Sequence, residues 1–231
     1  MVKKERMLLQ LRNVYKGFGP KEMPAFRPVL EDLSFAVEEG ARLGIVGPSG
    51  SGKTTLLNLM GALDVPDSGE VIFRGKAISG YRAGELAQFR NRELGFVFQF
   101  HHLLPQCTLW ENILVPVLPS KRSASAGDKS WAEHLLRKTG IWEQRNQKPS
   151  EMSGGECQRA AVVRALINKP RLVLADEPTG ALDEENARLL SELLLSLSRD
   201  EGITLVVVTH AVELAAKLDA VFHLRHGKLT P

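Results

Sequence analysis

Short apolar runs alternate with amphipathic segments along much of the chain, which is the pattern of an α/β protein whose sheet is covered on both faces. Four runs of strand length are rich in Leu, Ile, Val and Phe: residues 43–46, 71–73, 172–175 and 204–208. Residues 54–63 have an apolar face, and leucines recur with helical spacing over 184–198. We therefore predict a largely parallel sheet with helices between its strands.

The middle of the chain has a different pattern, because helical periodicity dominates from about residue 82 to residue 165. Within it, residues 119–130 are rich in Ser, Lys and small residues and predict a loop. We interpret residues 1–231 as a single domain. Its core would comprise residues 1–81 and 166–231, and a helical subdomain would be inserted at about 82–165.

Composition excludes several classes of protein. The 231 residues are 43% hydrophobic and 25% charged, which is enough apolar material for a core of ordinary size. A net charge of +3 is too small to favour a nucleic-acid partner. The two cysteines, Cys107 and Cys157, lack the spacing of a metal site or a disulfide framework and suit a reducing cytosol.

No run approaches the ~20 apolar residues needed to cross a bilayer. The first ten residues contain no apolar stretch long enough for a signal peptide. We therefore expect the chain to remain in the cytosol, and to act on a membrane only from outside the lipid.

A glycine-rich loop follows the first apolar run and matches the phosphate-binding pattern G-x-x-x-x-G-K-[ST] at every fixed position. Its residues, with the threonine that follows them, are Gly47, Pro48, Ser49, Gly50, Ser51, Gly52, Lys53, Thr54 and Thr55. Glycines let backbone N–H groups approach phosphate oxygens closely, and the N-terminus of the next helix adds a favourable dipole. We expect Lys53 to reach the β- and γ-phosphates of ATP and the Thr54 hydroxyl to bind Mg²⁺.

Two carboxylates follow the apolar run 172–175. Asp176 is placed to hold the Mg²⁺ shell, and Glu177 is placed to polarise the attacking water. Open α/β sheets bind ligands at this carboxyl edge. The alternative is that the two acids form an acidic helix cap before Pro178.

The segment from Ser150 to Glu156 resembles the L-S-G-G-Q signature of ABC ATPases. Met152 replaces the usual Leu and Glu156 the usual Gln, without loss of size or general character. The signature residues that we expect to bind nucleotide are Ser153, Gly154, Gly155 and Glu156. A helix is predicted from Cys157 to Asn168. In this family the signature of one subunit covers the ATP held by the phosphate loop of the other, so the resemblance implies a dimer with ATP sandwiched between two copies.

The other ABC motifs match in order. Gln99 falls at the Q-loop glutamine, which contacts Mg²⁺ and the attacking water, and residues 181–183, ending in Asp183, resemble the D-loop. His210 matches the switch histidine that bonds the γ-phosphate. Phe18 matches the aromatic residue that stacks on adenine, and Tyr15 is the alternative.

This resemblance covers residues 9–229 and implies a P-loop NTPase (RecA-like) core with an antiparallel β subdomain and an inserted helical subdomain. It also implies an ATPase that uses ATP and Mg²⁺. Its partners would be a second copy of itself and an integral membrane permease, with no nucleic acid. The chain would lie peripherally on the cytoplasmic face of the inner membrane.

Several sequence segments resemble those of one subgroup, the ATPases of lipoprotein-releasing and macrolide-export systems. They are residues 59–64, 94–105, 111–116 and 175–183. The subgroup implies export, or extraction of lipoprotein or lipid from the inner membrane. One alternative is a regulatory ATPase whose membrane partner transports nothing and activates a cell-wall hydrolase. Another is an ABC ATPase associated with nucleic acid.

The segment 99–115 and the residue before it carry more apolar side chains than a loop normally exposes. They are Phe98, Phe100, Leu103, Leu104 and Leu109. We expect part of this set to form a groove for a short cytoplasmic helix of the permease, and the alternative is internal packing. His101 and His102 are adjacent and do not converge easily on one ion, so we expect no metal there.

Overall fold

The computed structural model describes residues 7–19, 26–119 and 123–231. Their contacts divide the chain into two compact units, one formed by residues 1–87 with 204–231 and the other by residues 88–203. The prediction of a single domain with an insert at about 82–165 is not tested by this division and stays a prediction.

The first unit contains an antiparallel sheet in the strand order β2-β1-β4-β5. Its strands are β1 (Met7–Phe18), β2 (Arg27–Glu38), β4 (Ser68–Phe73) and β5 (Lys76–Ala77). In β2, Leu33, Phe35 and Val37 are buried and alternate with exposed residues. This period of two is that of a strand with one face on the core and the other in solvent.

The same unit holds four further strands in the order β10-β9-β3-β8. They are β3 (Arg42–Val46), β8 (Thr204–Val208), β9 (Ala220–Arg225) and β10 (Lys228–Thr230). Strand β3 is parallel to β8 and β9, and β10 is antiparallel to β9. Every residue of β8 is buried, as expected for a parallel strand covered on both faces. Phe35 of β2 meets Phe222 of β9 edge to face, with ring centroids 5.0 Å apart.

Two short helices complete this unit, α1 (Lys53–Met60) after β3 and α7 (Val212–Ala215) after β8. The prediction that α1 continues to residue 63 is wrong. The helix ends at Met60 because the N–H of Gly61 closes the last turn and Ala62 adopts a left-handed conformation with φ of 52°.

The second unit is built on two parallel strands, β6 (Leu94–Phe98) and β7 (Leu172–Asp176), aligned so that Phe98 is the partner of Asp176. Helix α5 (Gly154–Leu166) packs on β6. The approach is close at Gly95, where a Cβ atom would lie 2.4 Å from the carbonyl oxygen of Ala165. Residues 94–98 thus form a strand within the stretch 82–165, where the sequence predicted mainly helices.

The remaining helices of this unit are α2 (Ala83–Glu93), which begins in the first unit, α3 (Leu109–Leu114), α4 (Ala126–Lys138) and α6 (Glu184–Asp200). The prediction of a loop over 119–130 is wrong from residue 126 onward. Ser125 and Asp128 form a capping box that starts α4, each accepting a hydrogen bond from the other's backbone N–H. The signature helix also begins earlier than predicted, at Gly154, because Ser153 is its N-cap.

Within the described ranges, none of the helices has the length and apolar character required to span a bilayer.

Candidate active site

The phosphate-binding loop connects β3 to α1, and its glycines occupy positions that other residues could not. Gly50 and Gly52 have φ of 75° and 98°, in the left-handed region. A Cβ atom on Gly47 would lie 2.3 Å from the carbonyl oxygen of Leu224. The loop is therefore fixed by its backbone conformation and by close packing on β9.

Lys53 folds back over this loop. Its ammonium donates to the carbonyl oxygens of Gly47, at 2.8 Å, and Pro48, at 3.0 Å, and only 8% of the residue is exposed. The hydroxyl of Ser51 is buried and has no hydrogen-bond partner among the residues that the structure describes. A cation and an unsatisfied hydroxyl in one loop fit an anionic oxygen ligand such as a phosphate. Thr54 is exposed at the start of α1.

His210 follows β8 and lines the same pocket as Gly47 and Pro48. The strand end before it is fixed, because the N–H of Thr209 donates to the carbonyl of Ile45 and its hydroxyl accepts from the N–H of Ala211. The structure thus brings the predicted switch histidine to the beginning of the phosphate loop.

Both candidates for adenine stacking lie on β1 with about half of their surface exposed, Tyr15 at 43% and Phe18 at 49%. The ammonium of Lys16 lies 5.4 Å from the centroid of the Phe18 ring and also pairs with Asp64 at 2.7 Å. At an exposed ring such a cation–π contact contributes only about 0.5–1 kcal/mol. The geometry leaves the choice between the two aromatic residues open.

In the second unit, the predicted catalytic carboxylates lie at the end of β7. Asp176 is the last residue of that strand, and Glu177 follows it with φ of 46°. A left-handed glutamate is uncommon, and strained backbone of this kind is concentrated at functional sites.

Gln99 follows β6 on the neighbouring strand, one residue after the partner of Asp176. Its side chain packs against Gly180, where a Cβ atom would lie 3.1 Å from Nε2 of the glutamine. Gln99 is exposed, and the turn that carries Gly180 is closed by a hydrogen bond from its N–H to the carbonyl of Glu177. The structure therefore brings Gln99, Asp176 and Glu177 to one edge of this strand pair.

The signature residues form the first turn of α5. The Ser153 hydroxyl accepts from the N–H of Glu156, and the Glu156 carboxylate accepts from both the N–H and the hydroxyl of Ser153 at 2.8 Å. These hydrogen bonds lower the pKa of Glu156 below its usual range. The glutamate that replaces the family's glutamine thus closes a capping box around the signature serine.

Asp183, in the predicted D-loop, is the N-cap of α6. Its carboxylate accepts from the backbone N–H of Asn186 at 2.9 Å and from the Asn186 side-chain amide at 2.7 Å. Both contacts favour the ionised form and lower the pKa of Asp183.

Comparison with known proteins decides the family. The family model described as ABC transporter matches residues 30–180 of this chain. The chain belongs to the ABC transporter family. Because the family is defined by its ATP-hydrolysing cassette, the prediction of an ABC ATPase is confirmed.

Solved ABC cassettes have the same fold. A dimeric structure of MJ0796, described as a bacterial ABC transporter cassette, is 36% identical with a TM-score of 0.87, over 97% of each chain. A dimeric post-hydrolysis state of MJ0796 bound to ADP and Pi is 35% identical with a TM-score of 0.86, again over 97% of each chain. The predicted α/β P-loop NTPase fold with an antiparallel sheet is therefore confirmed.

CbiO1 from Clostridium perfringens, part of the ABC transporter complex cbiONQ, is similar in fold, with a TM-score of 0.85. It is 22% identical over 98% of this chain and 88% of its own, and at that identity the likeness concerns the fold alone. The role of each individual site residue in this ABC cassette remains a prediction.

Sequence reasoning missed two glutamines that touch the motifs. The amide of Gln144 donates to the carboxylate of Glu156 at 3.0 Å, and Gln158 contacts the backbone beside Gln99 and Glu177. No motif or periodicity marks Gln144. Gln158 lies two residues after the signature, on the predicted helix. Its polar side chain gave no sign that it is buried.

Proposed function

We propose that this chain is the ATP-binding and hydrolysing subunit of a membrane ABC transporter, which dimerises and drives export or the extraction of lipoprotein or lipid from the inner membrane. The observation that carries the proposal is the phosphate loop. It combines the buried ammonium of Lys53 with the unsatisfied hydroxyl of Ser51 in a glycine-rich turn before a helix. This combination fits the β- and γ-phosphates of ATP.

The donor set also fits Mg²⁺, since the proposed ligands are the hydroxyl of Thr54, the side-chain oxygen of Gln99 and the carboxylate of Asp176. Hard cations of this kind prefer oxygen ligands. These residues would hold the ion, whose positive charge would offset the negative charge of the phosphates.

Glu177 is the proposed general base. Its carboxylate would accept a proton from the water that attacks the γ-phosphate, and Gln99 would orient that water. The left-handed backbone at Glu177 aims the side chain differently from a continued strand. His210 would donate a hydrogen bond to a γ-phosphate oxygen, which supports the developing negative charge.

The signature is proposed to act in trans, on the ATP bound to the phosphate loop of a second copy. Ser153 and Gly154 are exposed at the beginning of α5, where backbone N–H groups and the helix dipole favour an anion, and Gly155 beside them is buried. Asp183 would lie at the interface between the two copies. MJ0796, which is 36% identical, is dimeric in its solved structures.

The proposed membrane partner is a permease whose short cytoplasmic helix docks on the segment 99–115. Phe100 and Leu104 are 64% and 38% exposed there, whereas Leu103 and Leu109 are buried. The exposed pair gives an apolar surface on the segment that follows the Q-loop glutamine. The chain would then work peripherally, on the cytoplasmic face of the inner membrane.

Two variants test the enzymatic part. Lys53→Ala should abolish ATPase activity and weaken ATP binding, because the phosphate-facing ammonium is lost. Glu177→Gln should bind ATP normally but hydrolyse it at least ~10²-fold more slowly, the usual contribution of a general base. Gel filtration of Glu177→Gln with ATP and Mg²⁺ should show a dimer. Near-wild-type turnover in either variant would contradict the assignment.

A pull-down from detergent-solubilised membranes, followed by mass spectrometry, tests the partner. Capture of a permease that moves a substrate in reconstituted vesicles supports transport. Capture of a membrane protein that transports nothing but activates a cell-wall hydrolase would instead establish the regulatory alternative.

A further inference from the structure

A single buried amide connects the two backbone segments that carry the proposed water-orienting and base residues. Gln158, on α5, is 2% exposed. Its Nε2 donates one hydrogen bond to the carbonyl of Phe98, at 2.6 Å, and another to the carbonyl of Pro178, at 3.0 Å. An amide nitrogen has two hydrogens, so both are used.

Each of the two carbonyls belongs to a residue adjacent in sequence to a proposed catalytic residue. Phe98 ends β6 and immediately precedes Gln99, and Pro178 immediately follows Glu177. The amide of Gln158 therefore fixes the backbone next to each of these side chains. A glutamate with φ of 46° persists only where its surroundings determine the conformation, and the Pro178 contact is one such constraint.

Helix α5 is itself held against the segment that follows the Q-loop. The guanidinium of Arg164, six residues after Gln158, donates to the carbonyls of His101 and His102, each at 2.7 Å. The start of the same helix is the signature serine, Ser153. Gln158 thus lies on a rigid element that contacts the Q-loop segment at two points.

We propose that Gln158 is a positioning residue for ATP hydrolysis, which holds Gln99 and Glu177 in the mutual geometry that activates the attacking water. The inference rests on the proposed function of those two residues. Gln158 is buried, and both hydrogen bonds that its amide donates go to backbone carbonyls. It therefore acts on the rate of the chemical step and leaves the phosphate loop's affinity for ATP unchanged.

The test is Gln158→Leu, which keeps most of the side-chain volume and removes both donors. The matched control is Asn168→Leu. The amide of Asn168 also donates to two backbone carbonyls of this unit, those of Asn91 and Pro116, each at 2.9 Å, away from the proposed site. Both variants remove two hydrogen bonds to backbone carbonyls, so both should lower the melting temperature, although the Pro116 carbonyl still accepts from the Asn91 amide at 2.7 Å in the control.

Only Gln158→Leu should lower kcat, by about 10-fold or more, because small misplacements of reacting groups are costly. The Kd for ATP should stay within about 3-fold of wild type. An unchanged kcat in Gln158→Leu, or an equal loss of kcat in the control, overturns the proposal. If Gln158→Leu does not fold, Gln158→Met, unbranched and of the same length, supplies the same comparison.

A double variant distinguishes a failure of the role of Gln158 from a failure of the proposed function of Glu177. In a single-turnover assay, Gln158→Leu should add little to the slowing caused by Glu177→Gln, because both act through the same base. Multiplicative effects would show that Gln158 acts elsewhere. If Glu177→Gln alone hydrolyses ATP normally, the proposed function fails. If it is slow and Gln158→Leu is not, only the role of Gln158 fails.

Discussion

Gly155 lies directly against Asn186, since a Cβ atom at Gly155 would come within 2.3 Å of the asparagine Oδ1. Asn186 in turn holds the carboxylate of Asp183 through its backbone N–H and its side-chain amide. The second signature glycine and the D-loop aspartate are therefore linked through one asparagine within a single chain. The φ of Gly155 lies outside the left-handed region, so backbone conformation does not require a glycine there. The contact with Asn186 does, because it leaves no space for a Cβ atom.

The first prediction follows from this contact. Gly155→Ala should destabilise the chain by about 1–3 kcal/mol, the usual range for overpacking a closely packed position. The added methyl group must displace Asn186 and so disturb the N-cap of α6. Urea unfolding measures the change.

Gly154→Ala is the matched control for stability. Gly154 occupies the first turn of the same helix, and within the described part of the chain nothing lies within 4 Å of a Cβ atom there. Alanine there should be neutral or stabilising by up to about 1 kcal/mol, because it favours the helix. Equal losses of stability in the two variants would mean that contact with Asn186 is not the cause.

The sequence predicted the fold and the order of the motifs well, because a complete phosphate-loop pattern and continuous apolar runs are local signals. The side-chain contacts between motifs were not predictable in the same way. The bonds from Gln158 to Phe98 and Pro178 join residues 60 and 20 positions away. No local pattern records such pairs. Ser125 and Asp128 have the spacing of a capping box, but the small polar residues around them have the composition of a loop, which is why a loop was predicted there.

Glu156 should make stability depend on pH in the acid range. Its folded-state pKa is lowered by the hydrogen bonds from Ser153, so its stabilising contribution is complete above the unfolded pKa and is lost as pH falls through the folded one. Glu156→Gln removes this titration. The stability difference between wild type and variant should be constant above about pH 5 and shrink below the usual value of 4.5. Urea unfolding from about pH 3.5, roughly one unit below that value, up to about pH 7 measures the difference. A difference that did not vary over this range would contradict the prediction.

Replacing the two aromatic residues of β1 should identify the one that stacks on adenine. Phe18→Ala should weaken ATP binding by about 10-fold, the lower part of the range for loss of one base–aromatic stack, whereas Tyr15→Ala should leave the Kd for ATP nearly unchanged. Phe18→Tyr should restore binding. Inorganic tripolyphosphate, which has no base, is the control ligand, and its affinity should be equal in all variants. The reverse pattern would assign the stack to Tyr15.

Mixing two inactive variants should test the proposed trans arrangement. Ser153→Arg should bind ATP normally, yet its bulky side chain should block the γ-phosphate of the other copy's ATP. Crosslinked heterodimers of Ser153→Arg with Lys53→Ala contain one site with both defects and one site with neither. ATPase activity above that of either homodimer supports the arrangement. Crosslinked heterodimers of each variant with wild type show whether one intact site is sufficient, so an inactive mixture beside active controls would refute it.

The exposed side chain of Leu104 should be needed for coupling to the permease. Its backbone is fixed by Asn112, whose amide accepts from the Leu104 N–H at 2.7 Å and donates to the Leu104 carbonyl at 3.1 Å. A charge at this side chain should therefore change the surface without unfolding the segment. Leu104→Asp should lower permease binding and permease-stimulated ATPase activity, and leave the Kd for ATP unchanged.

Leu189→Asp is the control, because Leu189 is exposed to nearly the same extent, 40% against 38%, and lies on α6 outside the segment 99–115. It should leave permease stimulation intact. The stimulation by permease is measured for each variant as the ratio of ATPase activity with reconstituted permease to the activity without it. By linkage, a permease that biases hydrolysis through this segment must itself be biased by ATP, so Leu104→Asp should also reduce the effect of ATP on permease affinity. If stimulation survives in a folded Leu104→Asp, the docking surface lies elsewhere.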